Sequence, residues 1–227
     1  MKIDFDFLTG RNNPYLKDYY GYLVHDEIIP SLKLLQEAAK KEIGAKIQII
    51  SSFRDFEKQK IIWNNKASGI KAIYDDDDHK IEIKNLNETE LIEKIMRFSA
   101  LPGASRHHWG TDIDIFDASK LAKDKVNLTP SECGPGDIFC ELHEWLDEKI
   151  KKKQAYGFYR PYHEDLNGVS IEKWHLSYAP LSQLFFDKYT IDVFEKNIIE
   201  ADILLKEVLL KDLSFYFDKY ITNINLP

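Results

Sequence analysis

A chain of 227 residues, 44% hydrophobic and 30% charged, supplies enough apolar side chain for one substantial core and gives no compositional reason for long disorder. Its formal net charge of −7, with no Lys/Arg cluster larger than Lys151-Lys152-Lys153, argues against a general nucleic-acid binder, which needs a basic face to neutralise phosphates. No window approaches the roughly eighteen apolar residues of a membrane-spanning helix, and the start, MKIDFDFLTG, lacks the apolar core of a signal peptide. The chain is therefore expected in the periplasm or elsewhere outside the cytoplasm if a signal was removed, and in the cytoplasm otherwise.

In chain order, residues 26–42 place Ile29, Leu32, Leu35, Ala38 and Ala39 at helical spacing with Gly44 as a stop, which predicts a helix. KIQII at 46–50 reads as a buried strand, and SSFRDFEKQKIIWNNK turns through serines into a second helix from Asp55. The run Asp75 to Asp78, followed by His79, reads as a surface insertion before a calcium or second metal site. Residues 88–99 predict a helix leading into Pro102-Gly103, and residues 111–116 a strand. Cys133 and Cys140, in CGPGDIFC, are separated by a Gly-Pro-Gly turn that leaves both a disulfide and two free thiols open. A helix follows over 139–153, then a turn and strand in GVSIEKWHLSY, and two amphipathic helical patterns over 181–224 whose apolar stripes read as packing faces. Strands not regularly separated by helices, with helices early and late, point to an α+β fold. A single domain over 1–227 is expected, its core at 8–184 and a helical extension at 185–227.

The stretch ASRHHWGTDIDIF carries the chemistry. As a strand, Thr111 to Phe116 sends Ile113 and Ile115 to one face and Asp112, Asp114 and Phe116 to the other. Gly110 lets the backbone bend so that His107 returns toward Asp114. Farther on, His175 and Ser177 alternate with Trp174, Leu176 and Tyr178. Two histidines and a carboxylate are a common ligand set for catalytic zinc, which keeps its fourth position for a water acidified toward neutral pH. Glu172, three residues before His175, is a candidate to take that water's proton. Taken singly, each histidine is better read as a satisfied, half-buried residue and each aspartate as a strand-end polar group; only the combined pattern points to a metal.

Ser105-Arg106-His107 through Gly110 to Asp114 has the form SxHxxGxxxD, and Glu172-Lys173-Trp174-His175 the form ExWH. In this order the two motifs resemble the zinc D-alanyl-D-alanine carboxypeptidases of the VanY type, within a wider group that includes L-alanyl-D-glutamate endopeptidases and the hedgehog signalling domain. SSFRDFEKQ is similar to that group's SxxRxxxxQ, and YGFYRPY at 156–162 to an aromatic-rich segment before its ExWH strand. Over residues 8–184 the resemblance implies a small central antiparallel sheet that carries a zinc site and is flanked by helices. It implies zinc on His107, Asp114 and His175, Glu172 as base, Arg54 as oxyanion or peptide contact, and Gln59 and Ser105 as groups that orient a peptidoglycan stem peptide. A monomer with no nucleic-acid partner is expected. His108 and Trp109 are expected to be packing or cleft-wall residues.

One departure stands out. The group commonly has alanine where this chain has Asp112, which reads as a group behind the ligands or one that alters substrate choice; the spacing from His107 favours Asp114 as the ligand, so Asp112→Ala is expected to leave zinc binding largely intact. The resemblance implies a carboxypeptidase first, with an L-alanyl-D-glutamate type endopeptidase or a catalytically inactive zinc-containing binding domain as alternatives. Glu172 and Arg54 weigh against the last, because a purely structural zinc needs neither.

Overall fold

The alternation of isoleucine and aspartate after Gly110 becomes the strand around which the chain is arranged, in a computed structural model that describes residues 1–227. The chain begins with a short helix, α1 (Phe5–Leu8), capped by the Asp4 side chain, which accepts from the N–H of Phe7. Two strands not anticipated from sequence, β1 (Leu16–Tyr19) and β2 (Tyr22–His25), then form an antiparallel hairpin. Its turn, Tyr20-Gly21, has φ of 54° and 85°, the left-handed pair that matches strand twist. The predicted first helix is α2 (Ile29–Ile43), which buries Leu32, Leu35, Ala38 and Ala39 and ends at Gly44 in the left-handed conformation.

The predicted strand and second helix are β3 (Ile47–Ser51) and α3 (Phe56–Ala67), the latter capped by Asp55 through the N–H of Lys58. Helix α4 (Glu88–Met96) starts with a capping box between Asn87 and Glu90. There follow β4 (Asp112–Asp117), α5 (Cys140–Lys151), β5 (Phe158–Tyr159), β6 (His175–Tyr178), α6 (Ala179–Phe186), α7 (Ile191–Glu200), α8 (Lys206–Lys211) and α9 (Leu213–Phe217). The fold is α+β as expected.

Four of the strands form an antiparallel sheet in the order β3-β4-β6-β5. On one face Ile47, Ile49, Ile113, Ile115 and Leu176 pack under Leu32 and Leu35 of α2 and Leu142 and Leu146 of α5. The other face is polar: β4 pairs with β6 so that Asp112 lies opposite Ser177 and Asp114 opposite His175. Asp114 also lies opposite Ser51 of β3, past an irregularity after Ile49. Such a bulge re-aims the strand, here where it hands on to Ser52 and Arg54.

Residues 185–227 do not trail from this core. Phe185, Phe194, Ile198, Leu209 and Tyr216 pack with Phe7, Trp63, Ile92 and Ile95 in a second apolar cluster, each fully buried large side chain contributing about 1.5–3 kcal/mol. Polar bonds accompany the packing. Trp63 Nε1 donates to the Leu204 carbonyl (3.0 Å), the Tyr189 hydroxyl to that of Gly103 (2.6 Å), and Asn197 Nδ2 to that of Pro102 (2.8 Å).

The acidic run is an exposed turn, in keeping with an insertion. Asp75 accepts from the N–H groups of Asp77 and His79, while Asp76 pairs with Arg97 at the end of α4. Both cysteines are free thiols; burial pushes Cys133 up to about 12. No helix is long and apolar enough to cross a membrane.

Candidate metal centre and cleft

His107 lies in a short 3-10 turn, Arg106–Trp109, that ends at Gly110 with φ 71°. A Cβ at Gly110 would fall 2.7 Å from Leu16 Cδ2 and 2.9 Å from the backbone nitrogen of His25, so the β1–β2 hairpin rests on this turn and only glycine fits. His108 and Trp109 are packing residues, one of the two roles expected of them. Trp109 Nε1 donates to the Leu8 carbonyl at 3.1 Å. His108 Nδ1 donates to the Arg54 carbonyl at 2.6 Å, and its Nε2 accepts from the Gly103 N–H at 3.0 Å. Burial drives His108 down to about 3, and the neutral ring suits one donor and one acceptor. His108 thereby ties the Arg54 loop and the Pro102-Gly103 turn to the motif.

Three further side chains converge on the polar face of β4. His107 Nε2 is 3.4 Å from Asp114 Oδ2, and His175 Nδ1 is 3.5 Å from Asp114 Oδ1 and 3.3 Å from Glu172 Oε2. The far nitrogen of each ring is engaged, His107 Nδ1 with the Ser52 carbonyl at 3.0 Å and His175 Nε2 with Asp112 Oδ2 at 2.9 Å. Those acceptors engage the proton on the far nitrogen of each ring and turn His107 Nε2 and His175 Nδ1 toward the centre. Asp114, and not Asp112, faces both of those nitrogens. Burial and the nearby Arg54 hold His107 neutral. Burial alone would raise Asp114, but His107, His175 and Arg54 hold it at about 2.

The donor atoms of His107, Asp114 and His175 all lie within 4.8 Å of one another, all three residues are buried, and Asp114 Oδ1 has no hydrogen-bond partner. An unbonded buried polar atom costs about 1–3 kcal/mol, more when charged. A cation among these groups relieves that penalty. Two imidazoles and a carboxylate are a set that suits zinc, so these residues fit the implied metal. Burial opposes charge on His175, yet hydrogen bonds to Asp112 and Glu172 outweigh it and raise the ring to about 10, so a metal at Nδ1 displaces a proton.

A cleft of about 440 Å³ opens over this group, with Ser105, Arg54, Glu172, Tyr162 and Trp174 among its walls. A larger groove of about 750 Å³ lies along β3 and α2 and contains none of the motif residues. Arg54 donates Nη1 to Gln59 Oε1 at 3.0 Å, while its buried Nε has no acceptor. Gln59 corrects the sequence reading, which put it against the peptide. It is fully buried, outside the cleft walls, and its Nε2 donates to the Ala100 carbonyl at 2.7 Å, so what it holds is Arg54.

Sequence reasoning left many of the cleft walls unread, among them three residues beside the motif side chains or on the helix that follows Arg54. Tyr162 packs its ring edge-on to His175 at 5.1 Å, and it was visible only as part of YGFYRPY. Lys66 lies two helical turns after Gln59 on α3, a spacing that returns to the same side of the helix. Arg106 sat inside the motif as an unread position.

The sequence model of the VanY D-alanyl-D-alanine carboxypeptidase family matches residues 21–181. An uncharacterized protein of Haemophilus influenzae is 31% identical over 106 residues, 44% of this chain and 72% of that protein. The putative carboxypeptidase YodJ of Bacillus subtilis is 27% identical over 159 residues, 69% of this chain and 46% of that longer protein. Among solved structures, a mutant of the vancomycin-resistance D,D-pentapeptidase VanY in complex with Zn(II) is 25% identical with a TM-score of 0.51, covering 86% of this chain and 91% of that one. VanYB in complex with D-alanine-D-alanine shares the fold at 23% identity and TM-score 0.54, over 89% of this chain and 91% of that one. The matched stretch runs through Arg54, the SxHxxGxxxD turn and the ExWH strand that the sheet brings to one cleft, and on that ground the chain belongs to the VanY D-alanyl-D-alanine carboxypeptidase family.

Proposed function

We propose that this protein is a zinc-dependent carboxypeptidase that removes the terminal D-alanine from peptidoglycan stem peptides. The observation that carries the reading is the buried group of His107, Asp114 and His175 with Glu172 beside it. The Zn(II) and D-alanine-D-alanine complexes of the structural relatives support the choice of metal and substrate. Such a substrate lies outside the cytoplasm, so the proposal carries that location with it.

His107, Asp114 and His175 would hold the zinc, which when bound polarises a scissile carbonyl and acidifies a water. Glu172 Oε2 takes the water's proton as its oxygen adds to the carbonyl carbon, then delivers that proton to the amine as the C–N bond breaks. Arg54 Nε, a buried donor without an acceptor, is available to the developing oxyanion, and Gln59 keeps the guanidinium in place. Ser105 and Tyr162 line the space the peptide occupies and help exclude water.

Charge favours cleavage at a free C-terminus. Arg54, Lys58, Lys66 and Lys71 all border the cleft, an arrangement suited to a substrate carboxylate. The Lys66 ammonium is half-buried and donates to Ser99 Oγ at 2.6 Å. Burial lowers it to about 8, so it is charged at pH 7 and loses that charge as pH rises through 8. Lys66→Met is expected to raise KM about tenfold for peptides ending in a free carboxylate, the ~1.4 kcal/mol of one charge-assisted bond, and to leave C-terminal amides unaffected. In the parent, kcat/KM for free-acid peptides should fall above pH 8, and the Met variant should lack that limb. Equal losses on acid and amide would remove Lys66 from substrate recognition.

Incubation of the zinc-loaded protein with defined muropeptides, followed by mass measurement, tests the whole reading. The expected product is shorter by one D-alanine and appears only with metal. Cleavage within the stem would establish the endopeptidase alternative, and zinc with peptide binding but no product would establish the inactive binding domain.

A further inference from the structure

Asp112 is fully buried, and both of its oxygens are committed. Oδ2 accepts from Arg106 Nε at 2.8 Å and from His175 Nε2 at 2.9 Å. Oδ1 accepts from the hydroxyls of Thr111 at 3.0 Å and Ser177 at 2.9 Å. A carboxylate has about four lone-pair directions, so none remains for a metal. Arg106 is itself fixed, because Nη2 donates to the Tyr159 hydroxyl at 3.0 Å and to Ser177 Oγ at 2.7 Å. The network is built into the sheet: the ladder that pairs Asp112 with Ser177 also pairs Asp114 with His175. Arg106 is in addition the chain neighbour of His107, so one ion pair braces the segments that carry both histidines.

The histidine between these groups faces a competition. On its Nδ1 side stand two carboxylates, Glu172 at 3.3 Å and Asp114 at 3.5 Å; on its Nε2 side stands Asp112 alone, at 2.9 Å. A neutral imidazole has one proton, and whichever side takes it puts the lone pair on the other. Without an acceptor at Nε2, that proton would settle on Nδ1 between Glu172 and Asp114, and the lone pair would point away from the candidate centre. We infer that Asp112, locked by Arg106, Thr111 and Ser177, is a positioning residue that holds the His175 proton on Nε2 and so keeps Nδ1 open to the metal. The sequence reading expected Asp112→Ala to leave zinc binding largely intact; the buried network argues for a loss instead. This inference rests on the proposed metal centre, since His175 needs the Nε2–H tautomer only if its Nδ1 is a ligand.

The test measures Zn(II) affinity by chelator competition and the His175 ring tautomer by ¹⁵N NMR in the parent, Asp112→Asn, Asp112→Ala and the double variant Arg106→Leu/Asp112→Ala. The double variant matters because Asp112→Ala alone strands the buried Arg106 charge and can unfold the protein, whereas removing both charges of a buried pair is often tolerated. The double variant is expected to fold, to bind zinc about 10- to 100-fold more weakly than the parent, and to lose the Nε2–H signature. Asp112→Asn, whose amide oxygen can still accept at Nε2, is expected to recover most of the affinity. A folded double variant with parental affinity and the parental tautomer would overturn the inference and leave the metal centre standing. A parent that binds no zinc would overturn the metal centre itself.

Discussion

Glu172→Gln is expected to retain fold and zinc while kcat on stem peptides falls by ~10²- to 10⁴-fold, about 3–5 kcal/mol of barrier. Glutamine keeps the length and shape of the side chain but cannot accept the proton of the attacking water. The geometry makes the effect separable from metal binding. Glu172 Oε2 touches His175 Nδ1 at 3.3 Å from the edge of the cleft, its side chain 13% exposed, while the convergent donor group is complete in His107, Asp114 and His175. Steady-state kinetics beside elemental analysis decide the matter. Turnover at the parental rate in a zinc-replete Gln variant would remove Glu172 from the chemistry.

Asp114→Ala has a comparably large expected effect, in metal binding instead of turnover. Asp114 stands between the two rings, 3.4 Å from His107 Nε2 and 3.5 Å from His175 Nδ1, so its loss leaves two neutral imidazoles as the only donors. At a zinc concentration of roughly a thousand times Kd, the parent should gain about 4 kcal/mol of stability by mass action. The variant should gain none at that concentration and should show no hydrolysis. Without metal it should unfold somewhat more easily than the parent, because the substitution removes the carboxylate that attracts His107, His175 and Arg54. Thermal unfolding with and without zinc checks both halves; a variant still stabilised like the parent would take Asp114 out of the ligand set.

Legibility from sequence followed the range of the interaction. The period of two in TDIDIF placed isoleucines and aspartates on opposite faces of β4, and helix stops such as Gly44 marked their elements, because those signals are local. The β1–β2 hairpin was missed because Tyr20-Gly21 is not among the usual Asn-Gly or Asp-Gly turn pairs. Strand β5 has only two residues and exists by virtue of its pairing with Ser177 and Tyr178, far along the chain. In the site, motif spacing predicted which residues meet but not how deep each one lies. Gln59 reads as a substrate contact until its burial and its bond to Arg54 are seen. The role of Asp112 depends on the β4–β6 register and on an arginine whose partner sequence does not name.

The turn that leads into Ser105 and His107 is held from beyond the family match. That match ends at residue 181, yet Tyr189 and Asn197 take hold of the Gly103 and Pro102 carbonyls. Gly103 is also closed to any side chain, since a Cβ there would lie 2.0 Å from Asn197 Oδ1. The family match and the mechanical support of its motif therefore have different boundaries in this molecule. A fragment cut where the family match ends would keep the motif residues from Arg54 to His175, but it would bare the apolar sides of Phe7, Trp63 and Ile92 and return those two carbonyls to solvent. The chemistry lies in the motif segments, while part of the rigidity of the turn that carries them is supplied by helices downstream of the family match.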